Sequence, residues 1–159
     1  MSNRFTNGRE EAGFSLIEML ISLTILAVLA TMAAPSFTVD RQEGGAKMVF
    51  ADLNVARVTA IKKRHNVRLL VNSDEGCHTD NGTSFTIHED TNNNDSCDSG
   101  EKTVTKDVTN DYGLLTLTAT DNPVFDAQGL AITTADLTVS GYSDSSQIVV
   151  NWSGRITIP

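Results

Sequence analysis

The chain reads as α+β, with a long hydrophobic helix at its N-terminal end followed by an antiparallel, β-rich globular head. Three observations predict this. Residues 14–37 are 24 positions with a single charge, Glu18. Val49, Phe50, Leu53, Ala56, Ala60 and Ile61 then recur at three- and four-residue spacing, the period of one helix face. Beyond Asn66 the period changes to two, in short runs rich in Val, Ile and Thr separated by Asn, Asp, Gly and Ser clusters. A helix first and a run of strands after it is the order of an α+β fold.

The 159 residues suffice for one modest domain with an appendage. Charge is unevenly spread. Residues 1–13 are neutral, 14–37 carry −1, 38–73 carry +4, 74–111 carry −8 and 112–159 carry −3, for a net −8. This excludes a chain whose main task is to coat nucleic acid, which needs net positive surface. Hydrophobic residues at 40% exclude a disordered tail, and two cysteines exclude a disulfide-dense miniprotein. The chain divides into a leader at 1–13, a transmembrane and assembly helix at 14–37, an amphipathic stem at 38–65 and a head at 66–159.

As a helix, residues 14–37 run ~36 Å, enough to cross a ~30 Å hydrocarbon core with some tilt. A secretory signal peptide is the alternative. Its apolar region is shorter and holds no carboxylate, and a cut after Ala33 would leave Pro35 just beyond the scissile bond. Arg4 and Arg9 precede the segment while Arg41 and Lys47 follow it, so basic residues alone do not orient it. Glu18 near one end of such a span costs a few kcal/mol unless it snorkels, is protonated or meets a cation, which marks it as functional. Pro35 removes a backbone hydrogen bond to the Thr31 carbonyl and is expected to kink the rod. Gly44 and Gly45 are expected to interrupt it, with helix resuming at Ala46. Lys62, Lys63 and Arg64 complement the dipole of its last turn. Strands are expected at 67–71, 84–88, 103–109, 114–118, 124–125, 137–139, 147–152 and 155–158.

Gly13-Phe14-Ser15-Leu16-Ile17-Glu18 resembles the processing motif of type IV pilins and type II secretion pseudopilins. The family pattern is Gly, an aromatic residue that becomes the mature N-terminus, and Glu at the fifth mature position. Pro35 falls where these helices commonly carry a proline. The resemblance continues into the head. Ala56-Arg57, Ile61-Lys62-Lys63-Arg64 and the extended 67–71 look like the stem-to-first-strand passage of the pseudopilin H (GspH) and FimT family. Val124-Phe125-Asp126-Ala127-Gln128-Gly129-Leu130, and Ile148-Val149-Val150 with Gly154-Arg155-Ile156, look like its later strands.

The resemblance implies that a prepilin peptidase cuts between Gly13 and Phe14 and methylates the new amine of Phe14. It implies that Glu18 pairs with the N-terminal amine of a neighbouring subunit, which resolves the buried charge between chains. The implied partners are other pilin or pseudopilin subunits, an assembly ATPase and an inner-membrane platform. The implied location is the bacterial inner membrane, single-pass, with the head in the periplasm or on an extracellular filament. The function that follows is a minor pseudopilin or minor pilin, a structural subunit and not an enzyme. FimT-like minor pilins can take up DNA through a Gly-Arg-x-Arg motif. Here Gly154 and Arg155 match, but Thr157 replaces the second Arg and 112–159 holds no other basic residue, so a DNA-binding minor pilin that grips DNA through Arg155 is the alternative reading and not the expected one.

Within the head, Cys77 and Cys97 are an even pair outside the cytoplasm, which favours a disulfide. Cys77-His78, His88 and Cys97 offer zinc as an alternative, although their spacing is not a recognised ligand pattern. Residues 90–101 place oxygen donors at Asp90, Asn92, Asn94, Asp98 and Glu101, with the Ser96 carbonyl between, in the spacing of a calcium loop. Asp95 stands where such loops carry Gly, and Cys97 where they carry an aliphatic residue. A solvated Asx-rich turn explains the same residues without an ion. Catalytic motifs such as GxSxG, a phosphate loop or HExxH do not occur.

Overall fold

The computed structural model describes residues 15–159 except Glu75 and Ser143, and describes the backbone alone for 32–40. By packing the chain divides into two units, one ending at Ser36 and one spanning Phe37–Pro159. Helix α1 covers Leu16–Lys63.

In the second unit α1 forms a wall. Gln42, Ala46, Val49, Leu53, Ala56 and Ala60 are buried at spacings of four and three, one side of a helix. Two antiparallel sheets are built on that wall. The first has the order β3-β2-β1-β5-β6, from β1 (Asn66–Leu70), β2 (Ser84–Asp90), β3 (Lys102–Asp107), β5 (Val124–Phe125) and β6 (Ala131–Thr133). The second has the order β4-β7-β8-β9, from β4 (Thr116–Ala119), β7 (Ala135–Ser140), β8 (Ser145–Val150) and β9 (Ile156–Thr157). Val67, Leu69, Phe85, Ile87 and Phe125 from the first sheet share one core with Leu117, Leu137, Val139, Ile148 and Val150 from the second and with the α1 stripe. Burying each large side chain contributes about 1.5–3 kcal/mol. Strands of two residues, such as β5 and β9, have no stability of their own and depend on this shared core.

The expected interruption at Gly44 and Gly45 is a correction. The helix runs through both. Each glycine costs a helix about 1 kcal/mol relative to alanine, but here the missing Cβ is used. A side chain at Gly44 would overlap the Tyr112 ring, and one at Gly45 would come within 2.6 Å of Leu115 Cδ1. Ile61, read as part of the stripe, is exposed and lies against Gly129 instead. The chain leaves the helix at Arg64, whose φ of 61° is the left-handed turn that ends it. The bend expected at Pro35 falls among residues 32–40, whose side chains lie outside the described part.

Two elements escaped the period reading. β6 is three residues long, too short for alternation to register, and α2 (Thr109–Tyr112) replaces the expected end of β3. The Asp107 carboxylate stops that strand. It accepts hydrogen bonds from the Thr109 backbone N–H at 2.8 Å, the Thr109 hydroxyl at 2.6 Å and the Thr83 hydroxyl at 3.0 Å. The Thr109 hydroxyl bond, against a smaller opposing effect of burial, holds Asp107 below the usual aspartate range.

Gly154 is where the backbone is least free to change. Its φ is +72°, and a Cβ there would overlap the carbonyl oxygen of Gly129. Gly82 has nearly the same φ, +73°, with nothing within 4 Å. Thermal melts of the full chain should therefore separate conformational strain from collision. Gly82→Ala is expected to cost about 1–2 kcal/mol, and Gly154→Ala on the order of 4 kcal/mol or more. Equal losses would mean that the Gly129 contact relaxes freely.

Candidate functional site

The first unit presents an apolar surface on every side of the helix. Leu16, Ile17, Leu20, Ile21, Leu23, Ile25, Leu26, Val28 and Leu29 are all exposed, with no polar face opposite them. Its hydroxyls are turned back on the backbone. Ser22 donates to the Glu18 carbonyl at 2.8 Å, Thr24 to Ile21 at 2.8 Å and Thr31 to Val28 at 2.7 Å. This leaves few unsatisfied donors to an apolar environment. Glu18 sits in the first turn of α1, exposed, and its carboxylate has no ion-pair partner among the described residues. Among the described residues no helix is long and apolar enough to cross a membrane. The described side chains of this run end at Thr31, about 24 Å from Leu16, whereas a hydrocarbon core is ~30 Å thick. Gly13 and Phe14 lie outside the described residues, as does the Pro35 side chain.

The head carries a second constellation, on the face of the first sheet turned away from α1. Phe85 and Ile87 of β2 point into the core, so alternation puts Thr86, His88 and Asp90 on the other face. The loops at 71–83 and 91–101 close over it. Cys77 and Cys97 are joined by a disulfide with Cα atoms 5.7 Å apart, linking one loop to the other. Arg68 of β1, almost fully buried, donates to the Asp95 carbonyl at 2.9 Å and pairs with Asp74. His78, one of the residues offered for zinc, is used otherwise: its ring nitrogens bond Thr86 Oγ1 and the Val71 carbonyl, each at 3.0 Å.

The expected oxygen-rich loop is tightly bonded within itself. Asp90 accepts from the backbone N–H groups of Asn94 and Asp95 at 3.2 and 2.9 Å. Asn92 and Asn94 both donate their amides to one oxygen of Asp98, at 2.7 and 2.8 Å. The Asn94 side-chain oxygen receives the Ser96 N–H at 2.9 Å. Asn93 and Asp95 turn the chain at φ of 56° and 58°, so Asp95 adopts the backbone turn that a glycine would have supplied. Glu101 faces inward, its side chain 4% exposed. It accepts from Thr91 N–H at 2.7 Å, Asp98 N–H at 3.1 Å, the Thr91 hydroxyl at 3.0 Å and His88 Nε2 at 2.9 Å. Burial alone would raise its pKa, but these donors together outweigh burial and hold it down to about 2. Arg155 stands apart, exposed in the turn between β8 and β9, where its carbonyl accepts the Asn151 N–H at 3.0 Å.

The sequence reading found the two cysteines, the loop and, in the zinc alternative, His88 beside the cysteines, but not Arg68 or Asp74 as parts of the same structure. Alternation in β2 was the available signal for His88: three residues beyond Phe85, it falls on the face opposite Phe85 and Ile87.

Comparison with known proteins decides the family. A model of the type II transport protein GspH matches residues 46–154, and one of the prokaryotic N-terminal methylation motif matches 8–34. The chain belongs to the GspH family. Among solved structures, this GspH-family chain is similar to the type IV minor pilin FimU of Pseudomonas aeruginosa. The identity is 18%, over 76% of this chain and 89% of that one, with a TM-score of 0.56. The chain is also similar to the minor pseudopilin EpsH of the Vibrio cholerae type 2 secretion system. There the identity is 11%, over 75% of this chain and 96% of that one, with a TM-score of 0.54. At those identities the likeness shows the fold, an N-terminal helix carrying antiparallel sheets. No curated protein sequence matches the chain. It is a pilin-like structural subunit with a methylation motif and a disulfide in the head.

Two outcomes follow for this GspH-family head. Replacing Cys77 and Cys97 together by Ser is expected to cost about 3 kcal/mol in thermal or denaturant unfolding, the chain-entropy value for a loop of this size. Glu101 gives a pH signature. Its folded pKa of about 2 lies below the ordinary 4.5, so the stability it contributes is complete above about pH 4.5 and is lost as pH falls towards 2. Glu101→Gln should remove that portion, flattening the melting temperature across the same window. An unchanged slope would mean that other carboxylates govern acid unfolding.

Proposed function

We propose that this GspH-family chain is a minor subunit of a type II secretion pseudopilus or a type IV pilus. In this reading it is cleaved between Gly13 and Phe14, N-methylated on Phe14 and assembled through α1. The observation that carries the reading is the first unit of α1, apolar on all sides from Leu16 to Leu29. An all-round apolar helix has no stable place in water and needs a continuous apolar neighbour. Lipid supplies one before assembly, as a single pass in the bacterial inner membrane with the head outside. Other subunits' helices supply one afterwards. Glu18 then meets the methylated amine of a neighbouring subunit, which offsets the cost of its charge. Prepilin peptidase and the inner-membrane assembly platform are the remaining partners. The chain contributes structure and no chemistry.

Expression beside a prepilin peptidase tests this directly. The mature mass should correspond to loss of residues 1–13 and gain of one methyl group, and Gly13→Val should leave the chain full-length. Glu18→Ala is expected to be processed normally but to be absent from sheared filaments. A Glu18→Ala chain that assembles like the parent would remove that carboxylate from assembly.

Calcium in the 90–101 loop belongs to the same proposal. Asn92, Asn94 and Asp98 already converge, and rotating each amide would turn a donor into an acceptor facing a cation. In the full oxidised chain, calcium should raise the melting temperature relative to chelator. Superimposable melts would leave the loop held by its own hydrogen bonds.

A further inference from the structure

The disulfide of the head lies against a histidine one of whose ring nitrogens nothing described so far uses. One ligand atom from each of Cys77, His88 and Cys97 falls within 4.8 Å of the other two. The His88 side chain is fully buried. Its Nε2 is engaged by Glu101 at 2.9 Å, whereas its Nδ1 is buried without any hydrogen-bond partner. An orphaned nitrogen in a closed site costs about 1–3 kcal/mol, so its retention needs a reason.

We propose that the reduced head is a binding site for a thiophilic cation, with the Cys77 and Cys97 thiolates and His88 Nδ1 as ligands. The Glu101 carboxylate is itself fixed by Thr91 and Asp98. It accepts a hydrogen bond from Nε2–H, which keeps the proton on that nitrogen and leaves the lone pair of Nδ1 free. A histidine backed by a carboxylate is the usual arrangement of a metal-bound imidazole. Two thiolates and a neutral imidazole make a charge-neutral complex with Zn2+, the least costly charge state for a site this deep. Thiolates bound to one tetrahedral zinc at ~2.3 Å stand about 3.8 Å apart. Cysteines with Cα atoms 5.7 Å apart reach that separation by side-chain rotation. Both cysteines are half-buried while His88 is enclosed, so a fourth coordination position faces solvent.

The chemistry balances. A dithiol reductant gives two electrons and two protons to the Cys77–Cys97 bond and is itself oxidised to a disulfide. The cation then displaces both thiol protons into solvent as two metal–sulfur bonds form. The loops at 71–83 and 91–101 are thus held together in either state, by a covalent bond or by a metal.

Cobalt is the probe. The full chain in detergent is reduced with an immobilised phosphine, separated from it and titrated with Co2+, alongside the oxidised chain. The reduced chain should take up one equivalent with a thiolate-to-cobalt band in the near ultraviolet, and Zn2+ should displace it. The oxidised chain should show no such band. His88→Gln keeps both thiolates, so its affinity should fall at least about tenfold with an unchanged circular dichroism spectrum. Glu101→Gln should weaken binding by about 10-fold through loss of ring orientation. X-ray absorption of the zinc-loaded parent, which needs no variant, should count two sulfurs at about 2.3 Å and one imidazole nitrogen. Absence of the sulfur band in the reduced chain, or a metal shell without imidazole, would overturn the proposal.

Discussion

The head depends on one buried stripe of α1. Gln42, Ala46, Val49, Leu53, Ala56 and Ala60 form the buried face of the helix on which both sheets close, and half of those positions are alanine. Small residues let strand side chains reach the helix axis, while Val49 and Leu53 supply volume at the centre. Gly44 and Gly45 extend the same logic to backbone contact, with Tyr112 and Leu115 resting where a Cβ would be. Polar ties fix the register. Lys106 of β3 reaches Asp52 of α1 at 2.7 Å, Gln42 reaches Ser146 of β8 at 3.0 Å, and Arg57 reaches the Gly129 carbonyl at 2.9 Å. The strands are too short to persist without that wall.

What the sequence made legible follows from signal length. The stripe at 49–60 repeats often enough to define a face, and the runs at β1, β2 and β8 carry enough aliphatic and β-branched residues to define strands. β6, with three residues, carries no readable period. Gly44 and Gly45 were misread for a different reason. Glycine is scored as a helix breaker because it lowers helix stability locally, and its compensation lies in Tyr112 and Leu115, some seventy residues away in sequence. A local rule cannot weigh a tertiary contact.

The site shows the same division. Cysteine count and the expected compartment pointed to the pairing of Cys77 and Cys97, and oxygen spacing pointed to the 90–101 loop. Neither spacing nor composition indicated that the two share Glu101. That carboxylate, the last position of the oxygen series, is turned to His88 and thereby couples the loop to the disulfide. The coupling is a property of pairing register: Arg68 sits opposite His88 across β1 and β2, which sets the guanidinium and the imidazole on one face beneath both loops.

The same register explains how a stretch carrying −8 folds at all. Most of its carboxylates have a partner of their own. Asp74 faces Arg68, Glu89 is gathered by Lys63 with Lys102 nearby, and Asp90 accepts hydrogen bonds from two backbone N–H groups. Glu101 and Asp107 are each met by several donors. Hydrogen bonds to an ionised carboxylate are among the stronger available, and they favour the charged form. The acidic excess is therefore divided among separate partners, with Asp74, Asp90 and Glu101 on the side of the first sheet away from the core and Glu89 at the end of β2 where Lys63 of α1 reaches it. That partition leaves Phe85 and Ile87 free to close on α1, while the charges that remain on that side, Glu89 and Asp52, are each met by a lysine at the edge of the core.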